Sequence, residues 1–217
     1  SNSSIYGGNV EIVSLQQAVT RLGMRLMGEI AIAASLKDNI FAVPGFEEEI
    51  DYMWKHSLAS SAFAKEISKL RRRNVESAYL SALLHQVGKP VLLNILNSKR
   101  LRKKLRIKEL NKETILELME LLSQSVGLKL AEKWELPDQI AITIQHWTDF
   151  SKAERFKDEV MATCLASQFA SFLFQDESKE ASDIYEHPVV DELNLYPDDI
   201  EGLLQKSEAI EELIKFA

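Results

Sequence analysis

The scarcity of glycine and proline constrains the fold of this chain more than any other feature of its sequence. The 217 residues include 8 glycines and 5 prolines, about half of the usual combined share of roughly 12%. A β-sandwich or β-barrel needs turn residues about every 8–12 positions, so this sequence argues against an all-β fold. Apolar residues instead recur at helical spacing along most of the chain. We therefore predict an all-α protein, with one irregular multi-helix domain over residues 1–217.

The cysteine content and the hydropathy pattern indicate the cellular setting. Cys164 is the one cysteine, which excludes an intrachain disulfide framework and a cysteine-rich zinc site. No run approaches about 18 consecutive apolar residues, and no signal-peptide pattern opens the chain. We expect a cytoplasmic protein that has no membrane partner.

Charge is distributed unevenly along the chain. The net charge is −7, and residues 176–217 alone carry 13 acidic residues and 3 lysines. We expect this region to form an acidic helical tail packed on the domain. An acidic total argues against a dedicated nucleic-acid-binding protein, so nucleic acid is not an expected partner.

The segment KRLRKKLRIK, residues 99–108, is the strongest local charge signal. It is either a solvated helix face or a contact surface for an acidic partner, a phosphorylated ligand or nucleic acid. It contains no aromatic residue that could stack on bases. The acidic tail could complement it within the fold or between protomers, so a homo-oligomer is possible. The basic residues are Lys99, Arg100, Arg102, Lys103, Lys104, Arg106 and Lys108.

Capping residues and apolar periodicity predict the helices. Asn74 and Asn111 are in position to cap helices, and Ser151 with Glu154 has the spacing of a capping box. Residues 99–112 have the pattern of an amphipathic helix. The other predicted helices cover residues 14–22, 24–37, 47–70, 74–85, 113–124, 126–134, 138–147, 151–174, 189–193 and 198–215.

Three histidines lie within or at the ends of apolar helices. His56 lies in the middle of one, and His85 and His146 each lie near the end of another. Such positions are compatible with one shared pocket, although a histidine on a helix is more often a packed or surface residue.

Five segments of the chain, in order, resemble segments of one protein family. They are NSSIYGG (2–8), SLQQAVTRLGMR (14–25), the pair WKHS (54–57) and YLSALLHQVGK (79–89), WELPDQIAITIQHW (134–147) and HPVVDELNL (187–195). These segments resemble the HD phosphohydrolase superfamily and, more closely, its HDOD branch. The resemblance implies an HDOD-like helical domain from which the leading helices of the family's domain are missing.

The resemblance also identifies a degenerate site. In catalytically competent HD proteins, a first histidine, a His-Asp pair and a later aspartate hold a divalent metal that activates a water molecule. Mapped here, the first histidine is His56, the pair becomes His85-Gln86, and the later aspartate falls at Ser167. A His-His doublet is reduced to His146 followed by tryptophan. Both carboxylates are thus absent from this pocket, which implies no catalytic residue, no metal and no cofactor.

The function implied by the resemblance is a bacterial, non-catalytic signal-transduction or regulatory output module. Its partners would be other signalling proteins or domains. One alternative is a residual metal-dependent phosphohydrolase acting on a phosphorylated nucleotide or similar ester, with a carboxylate from elsewhere, such as Asp149. Another is a nucleotide- or nucleic-acid-binding module that uses residues 99–108. The purely structural interpretation is that His56, His85 and Gln86 hydrogen-bond one another within the core.

Overall fold

The computed structural model describes residues 40–106, 111–174 and 181–215, and every regular element in these ranges is a helix, which confirms the all-α fold. The helices predicted for residues 14–22 and 24–37 lie outside the described residues. In chain order the helices are α1 (Glu47–Leu70), α2 (Val75–Leu84), α3 (Gly88–Asn97), α4 (Lys99–Leu105), α5 (Lys112–Lys133), α6 (Asp138–His146), α7 (Lys157–Leu173), α8 (Ala181–Tyr185), α9 (Pro188–Glu192), α10 (Pro197–Leu204) and α11 (Ser207–Lys215), with a 3₁₀ helix over Phe150–Lys152.

Helix α1 is the centre of the fold. It packs most extensively on α7 and α2, because its inner face alternates large apolar residues with small ones that let neighbouring backbones approach. Phe63 of α1 stacks on Phe169 of α7 with ring centroids 5.0 Å apart. Ala59 and Ala64 beside it are fully buried. The predicted bounds of this helix, 47–70, match the observed ones.

Helices α3 and α5 cross at two glycines. A Cβ atom built on Gly88 would lie 1.9 Å from the carbonyl oxygen of Ser123 and 2.7 Å from the nitrogen of Gly127. The sequence predicted a break between residues 124 and 126, but α5 is one continuous helix over Lys112–Lys133. The prediction was wrong because Ser125 continues the helix, and Gly127, already placed within a helix, is where α3 crosses it.

The predicted capping box at Ser151 and Glu154 is also wrong. The Ser151 hydroxyl donates to the Asp149 carboxylate over 2.6 Å and lies in the 3₁₀ helix instead. Helix α7 begins only at Lys157, after Phe156 adopts a left-handed backbone conformation with φ of 53°. The side chain that looked like a cap therefore closes a local turn before the helix.

The acidic C-terminal region forms short helices that pack on the centre of the fold. Helices α10 and α11 contact α1, and α8 and α9 contact α7. The helix predicted over 198–215 is interrupted by a turn at Gln205 and Lys206, and Lys206 forms an ion pair with Glu66 of α1. Among the described residues, no helix combines the length and the apolar character that crossing a bilayer requires.

Candidate functional site

Two of the predicted site histidines meet in the core. His56 comes from the middle of α1, and His85 follows the last residue of α2. Their ring centroids are 5.9 Å apart, and the two residues are 4% and 2% exposed. The packing of α2 on α1 produces this pairing, as the sequence predicted for these two histidines.

The ring of His85 has a hydrogen bond at Nδ1 and an aromatic neighbour. Its Nδ1 lies 2.5 Å from the carbonyl oxygen of Ala82, which can only accept, so Nδ1 carries the proton and Nε2 presents a lone pair. Nε2 is buried, and no residue in the described part of the chain is its hydrogen-bond partner. Trp147 packs edge-on against the ring at 4.7 Å between centroids.

The electrostatics of this position keep His85 neutral. Burial, together with the charge of His56, lowers the pKa of His85 from 6.5 to about 3, although the hydrogen bond to Ala82 acts in the opposite direction. The positive charge of Lys89 lowers this pKa further. Protonating a buried imidazole near other cations costs more free energy than one hydrogen bond to a backbone carbonyl recovers.

His56 is bound by hydroxyl groups rather than by Gln86. Its Nε2 lies 3.2 Å from the Ser171 hydroxyl of α7, and its Nδ1 lies 3.4 Å from the Ser60 hydroxyl one turn along α1. The Tyr52 ring packs 5.9 Å away on the other side. The interpretation that His56, His85 and Gln86 hydrogen-bond one another is therefore wrong: the hydrogen bonds seen between the two imidazoles and other described residues go to serine hydroxyls and a backbone carbonyl.

A small cavity lies beside His85. Its volume is about 100 Å³. The residues that line it include three positions that the resemblance maps on the HD site or beside it: His85, Gln86 and Trp147. Ser123 of α5 reaches the same cavity because α3 and α5 cross so closely at Gly88.

The remaining predicted residues lie around this cavity rather than in it. Ser167 is buried on α7, one helical turn before the Ser171 that contacts His56. His146 is half-buried at the end of α6, and it does not line the cavity; its neighbour Trp147 does.

Comparison with known proteins identifies the family. The HDOD domain model matches residues 1–150, which is more than half of the chain. The chain belongs to the HDOD family. A comparison with curated proteins finds no match.

Solved HDOD-like structures share the fold. A protein from Geobacter sulfurreducens, described as an HDOD domain protein with unknown function, matches with a TM-score of 0.70 and 20% identity, over 100% of this chain and 77% of its own. A "putative metal-dependent phosphohydrolase" from Shewanella amazonensis SB2B matches with a TM-score of 0.70 and 16% identity, over 98% and 77%. A "putative signal transduction protein" from Marinobacter aquaeolei VT8 matches with a TM-score of 0.65 and 20% identity, over 99% and 50%.

The donor set of this HDOD site does not fit the divalent metal that the HD resemblance implies. His85 offers one lone pair, but Trp147 packs against its ring, and the two charged residues that line its cavity, Lys89 and Glu120, are paired with each other. No group of three or more histidine, cysteine, aspartate or glutamate side chains among the described residues could hold a metal ion. Neutral imidazoles without a carboxylate leave the charge of a cation uncompensated.

The alternative carboxylate, Asp149, is occupied elsewhere. It pairs with Lys152 at 2.8 Å and accepts from the Ser151 hydroxyl. These contacts hold the pKa of Asp149 below its usual value, the bond to Lys152 being the largest cause. In this structure the contacts of Asp149 are thus made with Lys152 and Ser151 rather than with the histidines.

Lys89 and Glu120 of this site were not singled out in the sequence. Lys89 lines the cavity and forms an ion pair with Glu120 at 2.9 Å. The signal for Lys89 was present, because the lysine directly follows Gly88 in the HDOD-like segment. Nothing local indicated that Glu120 of α5 would face it.

The basic segment is partly described. Lys99, Arg100, Lys103, Lys104 and Arg106 are exposed on and just after α4, whereas Lys108 and the side chain of Arg102 lie outside the described residues. Helix α4 contacts α3, whereas the acidic helices α8 to α11 contact α1 and α7. The ion pairs found among the described residues do not join the two charged regions.

Proposed function

We propose that this HDOD protein is a non-catalytic regulatory module that acts through contacts with other signalling proteins. The observation that carries the proposal is a buried histidine pair that no metal-binding group of carboxylates accompanies among the described residues. His85 is kept neutral in the core, the cation Lys89 lowers its pKa further, and the family resemblance maps Gln86 on the position of the metal-binding aspartate. Such a site lacks the charge needed to hold a divalent cation that would activate water.

The surface supports an interaction role. Leu121 and Leu122 of α5 are adjacent and are 75% and 43% exposed. Adjacent exposed leucines form an apolar patch of the kind that protein contacts use. The basic side chains of α4 supply a second feature, which an acidic partner surface would complement.

Hydrolysis assays test the non-catalytic half of the proposal. Purified, untagged protein is incubated with bis(p-nitrophenyl) phosphate and p-nitrophenyl phosphate, with Mn²⁺ or with EDTA. We expect release of p-nitrophenol at the background rate in each case. Mn²⁺-dependent turnover that disappears in the His85→Gln variant would refute this half and favour the phosphohydrolase alternative.

Affinity capture tests the interaction half. Wild-type protein is compared with the pair Leu121→Gln and Leu122→Gln, and with Leu70→Gln as the matched control. Leu70 is 47% exposed but lies at the end of α1. A partner captured by the wild type and by the control, but not by the pair, is then purified and its binding is measured directly. Equal capture by the wild type, the double variant and Leu70→Gln would exclude the α5 surface as the contact site.

A further inference from the structure

A larger cavity adjoins the small one beside His85. It lies between α1 and α5 and has a volume of about 400 Å³. Its apolar lining comes from Tyr52, Met53, Leu116 and Met119. Small-molecule sites are typically concave and largely apolar, with volumes of about 300–1,000 Å³.

The two cavities share three residues and so form one cleft. Gln86, Lys89 and Glu120 line both of them. The small cavity also has hydroxyl-bearing residues, Ser123 and Thr148, which can donate hydrogen bonds to an anion. The cleft therefore has an apolar end and a polar end, with Lys89 between them.

The ion pair at this junction is easily exchanged. The Lys89 side chain is 21% exposed, whereas the Glu120 side chain is 74% exposed. An ion pair with one partner in solvent contributes little to stability. A ligand anion that enters the cleft can replace Glu120 on Lys89, because the displaced carboxylate returns to water.

The charges at the apolar end limit the charge of the ligand. Glu48 and Glu49 line the larger cavity, and Glu49 is paired with Lys112. Each further negative charge on a ligand would meet these carboxylates without another cation of the cleft to offset it. The cleft thus favours one negative charge over several.

We propose that this cleft binds an amphiphile with a single negative charge, its apolar body between α1 and α5 and its anionic head on Lys89. This inference deepens the proposed function. It rests on the proposed function only for the statement that the bound ligand has a regulatory use. It assigns a site to Lys89 and Glu120 that involves neither metal nor hydrolysis.

Octanoate is a suitable probe, with binding measured by calorimetric titration on the full chain. The Lys89→Met variant should weaken binding about tenfold or more, because a charged hydrogen bond contributes about 1.5–3 kcal/mol. The Glu120→Gln variant should tighten binding, because the competing carboxylate is gone. Lys129→Met is the matched control for the loss of a lysine. Lys129 lies on α5 with Glu120 but outside both cavities, so this variant should bind octanoate like the wild type.

Two further probes define the ligand class. Octylamine should not bind, and octyl phosphate, which carries close to two charges, should bind more weakly than octanoate. Tighter binding of octyl phosphate would overturn the single-charge assignment. No binding of octanoate to the wild type, or equal binding to Lys89→Met, would overturn the site itself. Octanoate binding is independent of p-nitrophenol release and partner capture, so the two proposals fail separately.

Discussion

Burying His85 in its observed orientation costs free energy that a residue with a purely structural role would not have to cost. Its Nε2 is buried and has no hydrogen-bond partner among the residues that the structure describes, and an unsatisfied buried polar atom costs about 1–3 kcal/mol. Its Nδ1 donates to the carbonyl oxygen of Ala82, which is the second-sphere arrangement usual for a metal-binding histidine. The ring therefore presents Nε2 as a metal ligand would.

The low pKa of His85 makes the stability of the protein depend on pH. Unfolded, this histidine takes up a proton below about 6.5, whereas in the folded protein it stays neutral down to about 3. Because the unfolded state binds more protons in this window, stability falls with decreasing pH by about 1.4 kcal/mol per pH unit. The free energy of unfolding, measured in urea between pH 7 and pH 4.5, should show this slope in addition to that of other groups.

The matched variants separate His85 from those other groups. His85→Gln should remove this contribution to the slope, whatever its effect on the absolute stability. His146→Gln, a histidine outside the cavity, should leave the contribution in place because His85 remains. An unchanged slope in His85→Gln would mean that His85 is protonated in the folded protein.

The missing carboxylates can be restored to test the mapping of the site. Gln86→Asp together with Ser167→Asp should raise the affinity for Mn²⁺, and either change alone should do much less. Each carboxylate supplies part of the charge and one coordination position, so the two effects should be coupled rather than additive. Calorimetric titration over the double-mutant cycle measures this coupling. No gain in the double variant would show that Ser167 is not the equivalent position.

At the scale of elements, the crossing of α3 and α5 is the most demanding contact. Gly88→Ala would place a Cβ against the backbone of α5, which cannot move aside as a side chain could. We expect a loss of about 3 kcal/mol, at the upper end of ordinary overpacking. Gly202→Ala is the control: its Cβ would meet nothing within 4 Å, and the helical position should gain about 0.5–1 kcal/mol. Denaturant unfolding of both variants gives the comparison, and equal stabilities would contradict it.

The same crossing shows what sequence could and could not predict. The bounds of α1 follow from periodicity and charge, and the Asn74 cap is seen as predicted, its side chain accepting from Glu76 and Ser77. The meeting of His56 with His85 followed from the resemblance. The continuity of α5 through Ser125 and the close approach of α3 at Gly127 did not follow, because local periodicity does not show which neighbouring helix packs there.

The cavity was missed for a related reason. Local periodicity shows which face of a helix is buried but not which residue of a distant helix lies opposite. Glu120 faces Lys89 across 31 positions of sequence, and Trp147 covers His85 only because α6 packs on α2. These contacts arise from tertiary packing.

At the scale of the whole molecule, charge is separated into two surfaces. Residues 181–215 carry most of the acidic tail and pack on α1 and α7, while the basic residues of α4 lie beside α3. The hypothesis that the two regions pair within one protomer is not supported by the ion pairs of the described residues. Pairing between protomers, or with another acidic protein, stays a prediction.

Removing basic charge from α4 should therefore cost little stability. Replacing Arg100, Lys103 and Lys104 together by Gln should lower the free energy of unfolding by less than about 1 kcal/mol, because exposed charges contribute little. Lys206→Gln is the contrasting variant: it breaks the ion pair with Glu66 of α1 and should cost more than any single change in α4. Thermal unfolding at low and high salt measures both. A sharp loss in the α4 variant would reveal an internal acidic partner.

The close crossing at Gly127 has a mechanical consequence for α5. The helix is continuous over 22 residues, about 33 Å at 1.5 Å per residue, and the glycine contact lies near its carboxyl end. Glu120, at the cleft, is about 10 Å from that contact, and Lys112, which pairs with Glu49, is about 22 Å away. Any rotation of α5 about the contact that moved Glu120 by a given distance would therefore move Lys112 about twice as far.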